Sequence, residues 1–109
     1  MNIDNVRSQM RKGMLEYCIL LVLQHKAAYT SDIIKQLQDV DLLVVEGTLY
    51  PLLTRMKNSG LLKYEWQEST QGPPRKYYAL TEAGSEALVA LDQAWSEISK
   101  TIGLLKFKE

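Results

Sequence analysis

The side chains in this sequence that could do chemistry are cations, hydroxyls and aromatic rings, at spacings that suit a polyanion. From Gly47 to Lys63 stand Arg55, Lys57 and Lys63 with no carboxylate among them. Read at helical spacing, Leu49, Leu52, Leu53 and Met56 share one face, the stripe a helix lays on a core. The opposite arc holds Gly47, Pro51, Thr54 and Asn58, flanked by Thr48, Tyr50 and Arg55. A narrow face of small polar groups beside cations fits the major groove of double-stranded DNA. There, hydroxyls and rings meet base edges and sugar, while cations meet phosphates. The expected base-edge or sugar contacts are Thr48, Tyr50, Pro51 and Thr54, and the expected phosphate anchors are Arg55, Lys57, Arg75 and Lys76. Tyr29 and Lys35 add backbone contacts from a preceding helix. Lys35 and Lys57 read equally well as solvated surface. Tyr50 has a second reading, a ring folded back as partial core.

Catalysis finds no support. There is no nucleophile–base signature, no metal-ligand spacing and no Gly-rich phosphate loop, so neither an enzyme nor a cofactor is expected. His25 stands without a cysteine or carboxylate cluster and reads as a helix cap rather than a metal ligand. Cys18 sits in an apolar run and reads as a small buried hydrophobe.

Several elements must position these residues. Met14 to Leu23 is apolar nearly all round and should be the central helix of the domain, with residues 1–13 extending it at the N-terminus. Thr30 or Ser31 caps a second helix, with Asp32 in its first turn and Ile33, Ile34 and Leu37 on its buried face. Val40 to Val45 is an apolar connector to the stretch beginning at Glu46. Pro51 falls just beyond the first turn of that helix with a slight bend, and Gly60 closes it. Leu61 to Glu68 alternates as a strand, Ser69 to Pro74 reads as a loop, and Arg75 to Leu80 returns as the second strand. Two short helices followed by a hairpin with a basic end make a winged helix-turn-helix with a two-stranded wing.

Thr81-Glu82 opens a last, long helix. Its Leu88, Leu91, Trp95, Ile98, Ile102 and Leu105 are spaced 3, 4, 3, 4, 3, the seam of a coiled coil. A symmetric dimer is the economical partner for that seam. The expected class is therefore mainly α (α+β), with a winged-helix domain over residues 1–80 and a C-terminal dimerisation helix over 81–109. Thirteen basic and thirteen acidic residues cancel, so any surface for nucleic acid must be a local patch. One cysteine and the absence of a signal-peptide pattern or a bilayer-length apolar run lead to the expectation of a cytoplasmic protein with no membrane partner.

The sequence resembles the PadR family of bacterial transcriptional regulators over nearly its whole length. The resemblance rests on Gly47-Thr48-Leu49-Tyr50-Pro51-Leu52-Leu53 with Arg55 and Gly60-Leu61-Leu62, then on Gly72 through Gly84. It implies a homodimeric repressor on a pseudo-palindromic operator, with the C-terminal helix packed against the partner subunit and its N-terminal helix. The short chain is similar to multidrug-sensing members. In those a tryptophan on this helix faces its mate across the interface and stacks on flat ligands; Trp95 falls at the matching place. At Tyr29-Thr30-Ser31 the chain departs from the family, which often has Gly after the Tyr. Two readings of Trp95 stay open: a platform for a small planar aromatic ligand, or a bulky residue filling the seam. An alternative for the whole chain is a protein-interaction module on a winged-helix scaffold without DNA readout.

Overall fold

The apolar run Met14–Leu23 is the second half of one continuous helix, α1 (Ile3–Leu23), which buries Leu15, Ile19, Leu20 and Leu23. The computed structural model describes residues 1–42 and 44–108, so Leu43 of the connector and the terminal Glu109 lie outside the described residues. Asn2 caps α1 by accepting from the Asn5 N–H, and the helix ends before His25 and Lys26. Gln24 is its C-terminal cap, so the expected role of His25 as the cap gives way to its neighbour.

A two-residue strand, β1 (Ala28–Tyr29), leads into α2 (Thr30–Asp39). The cap of α2 is Tyr29 rather than Thr30 or Ser31. Pairing with the sheet keeps the chain extended up to Tyr29, and the Asp32 carboxylate accepts from the Tyr29 N–H at 3.1 Å. At the other end Asp41 takes φ 63°, while the Leu42 and Asp41 N–H groups bond the carbonyls of Leu37 and Gln38. This left-handed closure turns the chain sharply toward α3 (Glu46–Asn58). The same closure ends α3: Gly60 has φ 83°, and the Leu61 and Gly60 N–H groups bond Met56 and Lys57. Pro51 lies inside α3, with its outward face to solvent.

The hairpin is longer and its turn tighter than the sequence suggests. Strand β2 (Leu62–Ser69) and strand β3 (Gly72–Leu80) leave only Thr70 and Gln71 between them. Gly72, Pro73 and Pro74, expected in a loop, belong to β3. They are tolerated there because β1 pairs only with Tyr77 and Tyr78, leaving the proline end of β3 without a neighbour on that side. The sheet therefore has three antiparallel strands in the order β1-β3-β2. Leu49, Leu53 and Met56 of α3 join Ile33, Leu37, Leu62 and Tyr78 in one core around α1.

The final helix, α4 (Glu82–Lys106), starts where Thr81 accepts from the Gly84 N–H and donates to the Gly60 carbonyl at 2.6 Å. Only Gly84 and Leu88 of α4 are buried. Past them the helix projects away from the core, which draws the molecule out to 61 × 32 × 23 Å. The radius of gyration, 16.1 Å, exceeds the ~13 Å of a compact domain this size. A helix of this length projecting from a small core is an arm.

Candidate nucleic-acid interface

Burying Leu49, Leu53 and Met56 leaves the other face of α3 no choice but solvent. Thr48, Tyr50, Pro51 and Thr54 all stand exposed on it. Tyr50, Pro51, Thr54, Arg55, Asn58 and Ser59 line one shallow cleft of about 650 Å³ along this face. Neutral hydroxyls and a proline ring at its centre can approach a base edge without the desolvation cost of a charge.

Arg75 and Lys76 stand on opposite faces of the wing, because strand pairing sets alternate residues on opposite sides. Gln67 pairs with Arg75, and Trp66 pairs with Lys76. On one face Arg75 stacks over the Tyr29 ring at 3.9 Å, Tyr29 packs on Tyr77 at 4.8 Å, and the Tyr29 hydroxyl donates to Gln67 Oε1. On the other face Lys76 lies over Tyr64 at 4.6 Å and over Trp66 at 5.4 Å. Those two rings meet edge-on at 5.8 Å, and Lys57 reaches Tyr64 from the end of α3 at 5.9 Å. An aromatic face attracts a cation without neutralising it, so each of these side chains keeps its full charge for a phosphate. Lys35 is exposed on α2 and lines a small hollow with Tyr29, Asp32 and Tyr77.

Arg55 differs from the others. Its guanidinium Nη2 donates to Glu16 Oε1 of α1, forming an ion pair at the flank of α3. Glu16, Trp66, Gln67 and Tyr77 are the neighbours that sequence reasoning missed. The last three become legible only once the hairpin register is known, and Glu16 only once α1 is placed beside α3.

Burial pushes the Tyr78 phenol above its ordinary value, with Tyr64 and Tyr50 adding to the effect. Burial likewise raises the Cys18 thiol, the opposite of what a reactive thiolate needs.

On α4, Leu88 belongs to the domain's own core. Leu91, Trp95, Ile98, Ile102 and Leu105 are between 37% and 70% exposed, on the outer length of the arm. Ile3, Val6 and Met10 are exposed on the N-terminal half of α1. Near Trp95, the Asp92 carboxylate is taken by the Tyr17 hydroxyl, and Glu97 accepts from Gln93 at 3.3 Å.

Residues 19–90 match the model of the transcriptional regulator PadR-like family. The chain belongs to that family. The PadR-like assignment makes it a DNA-binding transcription regulator, and its winged helix agrees with solved relatives. It is similar to a PadR-like transcription factor from Bacteroides fragilis, at 61% identity over 93% of this chain and 98% of that one, with a TM-score of 0.81. A PadR-like regulator from Bacillus cereus is 37% identical over 93% and 99% of the two chains, with a TM-score of 0.80. A PadR family regulator from Eggerthella lenta is 30% identical over 98% and 94%, with a TM-score of 0.85. Members of this family are transcriptional regulators rather than enzymes. Among the described residues no helix is long and apolar enough to cross a membrane.

Proposed function

We propose that this PadR-like chain is a homodimeric repressor that reads a pseudo-palindromic operator through α3 and grips the flanking backbone with the wing. The observation that carries the reading is the exposed outer face of α3 beside full-charged Arg75, Lys76 and Lys57. Thr48, Tyr50, Pro51 and Thr54 face the bases or sugar, Arg55 and the wing cations face phosphates, and Tyr29 at the end of β1 and Lys35 on α2 flank them.

The exposed apolar length of the arm supports the dimer. Burying five half-exposed seam residues from each of two chains contributes on the order of 10 kcal/mol at ~1 kcal/mol apiece. Association costs roughly 4–15 kcal/mol, so the seam alone is marginal. The apolar face of Ile3, Val6 and Met10 on α1 supplies the further area needed. Two Trp95 rings brought together by a two-fold axis would leave a slot for a planar aromatic ligand, and its binding would release the DNA.

A gel shift with the DNA upstream of the protein's own gene tests the reading. Retention that survives excess mixed-sequence competitor and fails at high salt supports it. Binding of protein partners without any DNA retention would instead favour an interaction module.

A further inference from the structure

Among the described residues assigned to DNA, Arg55 alone is paired with a carboxylate. Lys57, Arg75 and Lys76 rest on aromatic rings, which leave their charge intact. The pair is open to water, with side chains 64% exposed for Arg55 and 40% for Glu16, so it does little for stability. Something other than folding energy has to account for a carboxylate at the edge of a surface that binds a polyanion.

The geometry points to Glu16 as a positioning residue that makes Arg55 selective. One guanidinium nitrogen donates to Glu16, which leaves the other N–H groups of the planar fork for a further acceptor, and Arg55 also lines the outer cleft of α3 with Tyr50, Pro51 and Thr54. Glu16 does two things there. It fixes the direction of the remaining N–H groups, and it cancels the charge that would draw Arg55 to any phosphate. Arg55 then adds little to binding of arbitrary DNA and contributes only where a phosphate lies in register with its fork. Glu16 is itself held in place: the next residue, Tyr17, is bonded to Asp92 of α4, so this turn of α1 is fixed between α3 and the arm. The inference rests on the proposed reading of DNA by α3.

The test compares affinity for the site that the wild-type chain selects from a random pool with affinity for a mixed-sequence duplex of the same length, both by fluorescence anisotropy. Glu16→Gln should tighten binding to the mixed duplex several-fold without tightening the selected site. The ratio of the two affinities should fall by the same several-fold factor. Arg55→Lys, a point charge that cannot serve carboxylate and phosphate together, should lower the same ratio. Equal tightening on both duplexes would mean that Glu16 merely repels DNA, and equal weakening that it is only a structural tie; either overturns the inference. Failure of the wild-type chain to select any site would overturn the DNA reading itself, and the inference with it.

Discussion

The Tyr17 hydroxyl on α1 donates to the Asp92 carboxylate on α4 at 2.5 Å, one turn beyond Leu88, the last buried residue of the arm. This bond fixes the direction in which α4 leaves the domain. The bonded carboxylate is the main reason the phenol titrates above its ordinary value of 10.0, with burial and the negative charge of Asp92 adding to it. A raised phenol value means that folding favours the protonated form. The contribution is therefore complete below the ordinary tyrosine value and is lost as pH climbs through the raised one. Tyr17→Phe should lower the melting temperature at neutral pH and flatten its decline above pH 10, leaving the parts due to Tyr78 and Cys18. Alkaline melting curves identical in the two proteins would show that the bond contributes nothing.

Gly84 is held to glycine by contact rather than by backbone angle. A Cβ there would stand 2.1 Å from the Leu61 carbonyl oxygen, a backbone atom that also accepts from the Thr81 N–H. Gly84→Ala should destabilise the fold by about 1–3 kcal/mol or more, since the start of α4 must move off the turn that joins α3 to β2. Gly47→Ala meets nothing within 4 Å and serves as the control. It should be neutral or stabilising by up to ~1 kcal/mol in urea unfolding.

The wing makes its own prediction. Arg75→Ala should weaken binding to all sequences alike and reduce the salt slope by about one. Thr54→Ala and Tyr50→Ala should instead change which sequences are preferred. An unchanged affinity and salt slope for Arg75→Ala would remove the wing from the interface.

These roles were legible in the sequence to different depths. The helix stripe Leu49–Met56, the closing Gly60 and the Thr81 cap depend on nearest neighbours along the chain, and each is found where the spacing puts it. The hairpin turn falls within the expected loop but is shorter, because Gly72-Pro73-Pro74 carries turn chemistry while sitting in a strand whose far side is open. A register shift between Gln67 and Ser69 then sets the cross-strand pair Gln67–Arg75, and with it the packing of Tyr29, which no local pattern announces. The Glu16–Arg55 pair joins residues from two helices, and no local pattern could have announced it. Leu88 continues the heptad of the seam, yet its place so near the start of α4 puts it in the core.

The arm should hold two chains together. Ile98→Asp with Ile102→Asp places carboxylates on the exposed stripe at a cost of several kcal/mol each if the stripe is buried by a partner. Sedimentation should then show a monomer where the wild-type chain is a dimer. A wild-type chain that sediments at the mass of one subunit would end this account of the arm.

Trp95 should report a planar ligand. Planar cationic dyes should quench tryptophan fluorescence, and Trp95→Ala should abolish the effect while leaving Trp66, which is 61% exposed on the wing, as background. Of the two carboxylates near Trp95 in the chain, Asp92, one turn before it on the same face, is engaged by Tyr17, and Glu97 accepts from Gln93. Quenching that persists in Trp95→Ala would place the dye elsewhere and leave Trp95 as packing.

Selection of bound duplexes from a random DNA pool by the purified wild-type chain tests the central claim most directly. A two-fold symmetric site whose half-sites lie ~34–36 Å apart should be enriched, as two α3 helices related by a dyad require. A pool that emerges with its sequence distribution unchanged would contradict the claim.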